Sequence, residues 1–322
     1  METKVGMQKN GEPEVPLRLA LFDQYRGLLF SVAYRLLGTV ADAEDMLQET
    51  FIRWQQATDE DIRSPRAFLV TIISRLCINH LQSARVQREE YVGQWLPEPI
   101  PTDPGNDPLG LIRIDESLSM AFLVMLEELS PVERAVFMLR EVFGYRYPDV
   151  ARITGKTEVN CRQIFARARQ RISAGAQAHG EPPVSRGERR AEGEELARRF
   201  FEAAAGGDME ALLGMLAPDV VFHGDGGGKA QAIARPLAGR ERVMRLIAGI
   251  FRRGRFEGTS LRLAWVNGQP GAVLYDAEGR VVTVVELEIA DRVVQALHAV
   301  VNPDKLGHLG PVSDLARRPR KE

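Results

Sequence analysis

Pro97, Pro99, Pro101, Pro104 and Pro108 crowd one stretch of a chain whose apolar residues recur at helical spacing on either side of it. Proline lacks the amide hydrogen and clashes with the preceding turn, so no long helix or central strand survives such a run. The chain therefore cannot be one uninterrupted bundle. It must be separate helical modules joined by an extended connector. A second break, rich in Gly, Pro, Ala and charge, covers residues 175–193, and the spacing changes character beyond it. With 322 residues there is room for two or three cores.

Before the first break, Leu21, Tyr25, Leu28, Val32 and Leu36 mark one apolar stripe, Leu47, Phe51 and Trp54 a second, and Leu69, Ile72, Leu76 and His80 or Leu81 a third. Ser64-Pro65 reads as an N-cap followed by proline at the first helical position. After the break come Leu118, Phe122, Met125 and Leu129, then Val132, Val136 and Leu139 behind Ser130-Pro131. Two shorter helices, 148–153 and 157–172, flank the Gly155-Lys156 turn, which is the layout of a helix-turn-helix. At about 100° per residue, Cys161, Ile164, Phe165, Ala168 and Ile172 share one side of the second helix, with Val159, Gln163, Ala166 and Gln170 opposite. Arg162, Arg167, Arg169 and Arg171 flank the outer face. Apolar back, small or amide-bearing front and basic shoulders suit a major groove, with base edges ahead and phosphates beside.

Net charge is −2, but it is segregated: residues 156–171 hold five Lys or Arg against one acid, and residues 42–49 hold four acids and no base. Basic surface suits phosphate, and acidic surface suits a basic protein partner. Beyond the second break, Leu196, Phe200 and Ala204 mark a helix, 209–216 another, and strands follow at 220–223, 261–266, 272–275, 281–289 and 293–301. Helices leading into a strand meander predict an α+β domain with helices on one sheet face. Asp219, His223, Asp225, Glu286, Glu288 and His298 are its candidate acid–base residues. Cys77 and Cys161 lie far apart in helical patterns, so neither a disulfide nor a metal site is expected, and no cofactor is implied. No apolar run reaches membrane length and residues 1–14 lack a signal-peptide core, which predicts a soluble cytoplasmic protein.

The run D-A-E-D-M-L-Q-E-T-F at residues 42–51, with P-R-A-F-L at 65–69 and R-L-C-I-N-H-L at 75–81, resembles region two of the extracytoplasmic-function RNA polymerase sigma factors. The resemblance implies that Asp45, Gln48 and Glu49 meet core polymerase. It also implies that loop 59–63 and the helix carrying Arg75, Arg85 and Arg88 face the minus-ten promoter element. Asn79 and Gln82 stand where the family often has Asp and Arg. Residues 116–172 resemble region four, which implies minus-thirty-five readout by Thr157, Asn160, Arg162, Gln163 and Arg167, with Arg169 on phosphate.

Three motifs narrow the resemblance to the subgroup called group forty-one, which carries a C-terminal SnoaL-like domain of cone shape. They are W-L-P-E-P (Trp95, Leu96 and Glu98), D-G-G-G-K (Asp225, Gly226, Gly227, Gly228 and Lys229) and N-P-D-K (Asn302, Pro303, Asp304 and Lys305). The expected division is region two at 15–90, linker at 91–113, region four at 114–175, linker at 176–192, SnoaL-like domain at 193–309 and basic tail at 310–322. An exposed linker has little use for Trp95 and Leu96, each worth roughly 1.5–3 kcal/mol when buried. They are expected to dock near Gly226–Lys229, with Glu98 pairing with Lys229. Partners implied are core RNA polymerase and promoter DNA. The alternative is an isomerase- or cyclase-like enzyme, or a sensor of a small apolar ligand, fused to a DNA-binding regulator.

Overall fold

The computed structural model describes residues 14–58, 62, 64–89, 91–102, 118–179, 188–252 and 258–314. Helices α1 (Glu14–Leu37), α2 (Val40–Gln56) and α3 (Pro65–Glu89) pack on one another around Leu29, Leu36, Leu47, Trp54, Leu69 and Ile73. Gly38, at φ 76°, ends α1 in the left-handed conformation that glycine adopts without a Cβ penalty. The second helical group is α4 (Met120–Leu126), α5 (Pro131–Phe137), a π-helical turn (Met138–Val142), α6 (Tyr147–Thr154) and α7 (Glu158–His179). Ser130 and Glu133 form a capping box at the start of α5. Gly155, at φ 67°, makes the turn between α6 and α7. Cys161, Ile164, Ala168 and Ile172 are buried behind it, and Val159, Gln163, Ala166 and Gln170 face out, as the helical wheel predicts.

These two groups share one core. Helix α3 packs against α5 and α6, and arginines finish helix ends across the seam. The Arg134 guanidinium donates to Leu36 O at 2.8 Å, and Arg75 donates to Ile153 O at 3.0 Å and Arg152 O at 2.8 Å. Cations at helix C-termini satisfy carbonyls that have no partner within the helix.

The C-terminal part comprises α8 (Glu188–Gly206), α9 (Met209–Met215), β1 (Leu216–Asp225), β2 (Leu237–Ala238), α10 (Arg240–Arg252), β3 (Ser260–Val266), β4 (Gln269–Tyr275), β5 (Val281–Ala290) and β6 (Val293–Val300). The sheet order is β2-β1-β6-β5-β4-β3, antiparallel throughout except for the parallel pair β1–β6. Helices α8, α9 and α10 cover one face. Leu96 and Met120, from the connector and α4, pack on the other with Val266, Val273, Val284 and Val300.

Several details differ from the sequence reading. Helix enters both ends of the stretch read as a second linker, because its Ala-Gln and Glu-Arg runs are good helix formers. Helix α10, unanticipated, buries Val243 and Ile247 one turn apart. Past residue 309 the chain still engages the sheet: Ser313 N donates to Val281 O at 2.9 Å. Among the described residues, no helix is long and apolar enough to cross a membrane, and no cluster of side chains could hold a metal ion.

Candidate functional site

Side chains alternate across a strand, so β1, β5 and β6 each divide their residues between two faces. Phe222, Gly224, Thr283, Val285, Leu297 and Ala299 point toward the helices and line a cavity of about 370 Å³. His223, Asp225, Glu286, Glu288 and His298 take the opposite parity, with His223 opposite His298 and His298 opposite Glu286 in the register. The candidate acid–base groups therefore sit beneath the connector and α4, not in the cavity, and Asp219 is exposed. The Glu286 carboxylate accepts from Met120 N at 3.3 Å, while burial pushes it well above the ordinary carboxylate range. His223 Nδ1 lies 3.0 Å from Gln94 Oε1 of the connector.

The three motifs meet at the end of β1. Asp225, fully buried, receives Leu96 N at 2.8 Å, Gly227 N at 3.0 Å, the Tyr91 hydroxyl and the Lys305 ammonium at 2.6 Å. Lys305 also donates to Leu96 O and lies 4.2 Å from the centre of the Trp95 ring. Asn302 donates to the Tyr91 hydroxyl at 2.8 Å and caps the turn that carries Lys305. Gly227 is required for close approach: a Cβ there would run into the Asn302 amide. We call this assembly the latch.

Two of its expected contacts differ. Trp95 does not sit on the glycine run. It packs on Gly38 at the end of α1, where a Cβ would collide with the indole, and Val92 is the residue beside Gly228. Glu98 does not pair with Lys229 either. Lys229 pairs with Asp304 at the surface, and Glu98 turns inward to accept Val40 N at 2.7 Å, capping α2, whose Thr39 makes no side-chain cap. A helix N-terminus offers a carboxylate several amides and the positive end of a dipole, which a lone ammonium cannot match.

Burial pushes the Glu98 carboxyl up to about 7, against the hydrogen bond from Val40, and burial alone takes Glu288 to about 7. A carboxyl raised where the connector is docked stabilises that docking fully below its ordinary value of 4.5, and that stability is lost as pH rises through about 7. His308, lowered from 6.5 by burial, acts only on the acid side of that value. Raising the pH from 6.5 to about 8 is therefore expected to favour undocking of the connector by up to about fourfold per carboxyl. Small-angle X-ray scattering across that range reads the change. Glu98→Gln should flatten the response, and a response it leaves intact would remove Glu98 as a cause.

A further residue joins the modules, and sequence reasoning missed it. Asn267 is fully buried at the turn between β3 and β4. Its amide donates to the Tyr34 hydroxyl at 2.7 Å and Leu118 O at 3.0 Å, and its Oδ1 accepts Ile100 N at 2.8 Å. The Tyr34 hydroxyl donates in turn to the Glu98 carbonyl oxygen at 2.7 Å. Asn267 (φ 51°) and Gly268 (φ 78°) both lie in the left-handed region, so an Asn-Gly pair between two strand patterns was the available signal.

Asp45 and Gln48 are exposed on α2, and Glu49 pairs with Arg53 at 2.8 Å. On α7, Gln163, Arg167 and Arg169 are exposed, and Arg162 lies over the Tyr147 ring at 4.4 Å. Thr157 accepts Asn160 N at 3.2 Å as a cap, and Asn160 is half-buried. Arg75, expected on phosphate, is instead committed to the α6 carbonyls. The side chains of Arg85 and Arg88, and all of loop 59–63 but Ile62, lie outside the described residues.

Residues 21–86 match the model of Sigma-70 region 2, 119–172 that of Sigma-70 region 4, and 197–301 that of the SnoaL-like domain. The chain is 38% identical over 299 residues to the ECF RNA polymerase sigma factor SigJ of Mycobacterium tuberculosis H37Rv, covering 90% of this chain and 93% of that protein. It is 32% identical over 292 residues to the probable ECF RNA polymerase sigma factor SigI of the same strain, covering 90% and 95%. The crystal structure of M. tuberculosis SigJ superposes with a TM-score of 0.72 at 35% identity, covering 90% of this chain and 98% of that one.

Proposed function

The chain belongs to the extracytoplasmic-function RNA polymerase sigma factors, which direct polymerase to promoters, and we propose that its fused SnoaL-like domain restrains that activity by latching regions two and four together. The carrying observation is the shared core and the Arg75 bonds from α3 to the end of α6. Elements named minus-ten and minus-thirty-five lie about 25 base pairs apart, roughly 85 Å of duplex at about 3.4 Å per pair. Two small modules in contact cannot reach both. Opening must separate them, which also frees Arg75 for phosphate.

Core polymerase docks through Asp45, Gln48 and Glu49. The exposure of Asp45 and Gln48 in the closed form supports a sequence in which polymerase engages α2 first and then draws the modules apart, so opening is not needed to uncover that surface. Base readout falls to Arg162, Gln163 and Arg167, with Thr157 shaping the helix start and Arg169 on phosphate. The division at 15–90 and 114–175 accords with these roles, and the SnoaL-like part runs from the start of α8 at Glu188 to at least Ser313. The acid–base candidates serve the interface with the connector, which disfavours the enzyme reading.

The test is transcription by reconstituted core polymerase from a promoter carrying both elements. Leu96 lies on the connector, outside the SnoaL-like domain, and Leu96→Asp places a carboxylate against the apolar face of that domain's sheet. The variant should expand in X-ray scattering and give several-fold more transcript. Expansion without any gain in transcript would sink the restraint reading.

A further inference from the structure

We propose that Val159 reads a thymine in the minus-thirty-five element, through apolar contact with the C5-methyl group that thymine alone of the four bases presents in the major groove. This rests on the region-four readout proposed above and adds a base identity to it. Val159 stands in the first turn of α7 at 67% exposure, the most exposed large hydrophobic side chain among the described residues. A single apolar side chain on a surface needs no explanation by itself. Its place is what matters. Val159, Gln163 and Ala166 follow one another at helical spacing down one exposed row, while Cys161, Ile164 and Ala168 are buried on the opposite side. The latched form leaves that row open to solvent, so the valine contributes nothing to the protein's own core.

The polar neighbours in the first turn are occupied within the protein. Glu158, the acid that could accept from a cytosine amine, is turned to Arg162 at 3.7 Å, and the Thr157 hydroxyl accepts Asn160 N at 3.2 Å. Valine holds one strongly preferred rotamer in a helix, so its two methyls meet a groove without the ordering cost that a long side chain incurs. Gln163 lies four residues further on, about 6 Å along the axis at roughly 1.5 Å per residue. Its amide suits adenine, whose N6 and N7 it can meet together. Base pairs stack roughly 3.4 Å apart, so the thymine under Val159 is expected within about two base pairs of the adenine under Gln163.

The experiment selects the preferred minus-thirty-five sequence from a randomised duplex with the holoenzyme reconstituted on core polymerase, then replaces each selected thymine singly by deoxyuridine, which lacks only the C5-methyl. Holoenzyme carrying the wild-type chain should lose about fourfold in affinity at one thymine near the position whose preference Gln163→Ala abolishes, the factor that roughly 0.8 kcal/mol for one buried methyl-sized group gives. Val159→Ala should bind the thymine and deoxyuridine duplexes alike at that position and keep the wild-type response at every other one. Its thermal midpoint should not fall, since the site is exposed and alanine is the better helix former. Varying protein and base together separates the contact from any general effect of either change. A selected element with no thymine within about two base pairs of the one that Gln163 reads would overturn the proposal. So would a deoxyuridine that weakens Val159→Ala as much as wild type, which would leave readout by Gln163 standing. Base preferences that neither Gln163→Ala nor Val159→Ala alters would instead overturn the facing of α7, and this proposal with it.

Discussion

Replacing Lys305 by Met is expected to weaken the latched state by about 3 kcal/mol, near the lower end of the roughly 3–5 kcal/mol that follows removal of one partner from a buried ion pair. Both groups are buried, Asp225 at 0% and Lys305 at 5% exposure. The Met side chain fills much the same volume while leaving the Asp225 charge without its counter-ion. The loss stays near the lower bound because Tyr91, Leu96 N and Gly227 N still donate to the carboxylate. It does not fall lower, because the ammonium also holds Leu96 O and the Trp95 ring. Adding Asp225→Asn removes the orphaned charge and should recover part of the loss. Urea unfolding gives the energy and scattering gives the opening. A cost below about 1 kcal/mol would mean that the carboxylate rehydrates without consequence and that the pair does not fasten the latch.

Asn267→Asp is expected to rank beside it, at about 3 kcal/mol. The substitution preserves shape but turns both amide donors into acceptors, facing Leu118 O and a Tyr34 hydroxyl that already donates to Glu98 O. One atom change thus breaks the tie to α1 and the tie to the start of region four together. Asn267→Gly separates the causes: it keeps the left-handed turn and removes only the side chain, so about half the effect should remain. Amide hydrogen exchange at Ile100 and Gly268, both bonded to this turn or its neighbour, is the direct readout. Protection as in wild type for Asn267→Asp would show that the turn is a passenger in the interface.

Much of this was legible in the sequence. Helical spacing located α1 to α7 because each buries one stripe against a neighbour, and Gly155 announced the turn before the recognition helix. The three motifs announced the latch because a Trp in a proline-rich connector and a run of glycines each require a partner. What escaped was register and choice among partners. Alternation showed that Asp225, His223, Glu286 and His298 take one parity on their strands, but only the connector lying on that face tells which parity is the cavity. Glu98 was assigned to Lys229 because the sequence did not show that the start of α2, which has no side-chain cap of its own, lies beside the connector. Asn267 escaped although its turn signal was present, since a hairpin tip reads as solvent-exposed until something is found packed around it.

The two halves of the latch are far apart in the chain: Leu96 and Lys305 are separated by 209 positions. At a synthesis rate of about 5–20 residues per second, the second half emerges roughly 10–40 s after the first. Region four ends at residue 172, so for the last 133 of those positions, roughly 7–27 s, both modules exist without the turn that completes the latch. On the proposed reading, the turn Pro303–Lys305, made after both modules, is thus the one that arms the restraint. A chain released before it, by a premature stop or by a protease trimming from the C-terminus, would carry both promoter-reading modules permanently unlatched. On the proposed restraint, quality control of residues 302–305 is control over when promoters are read.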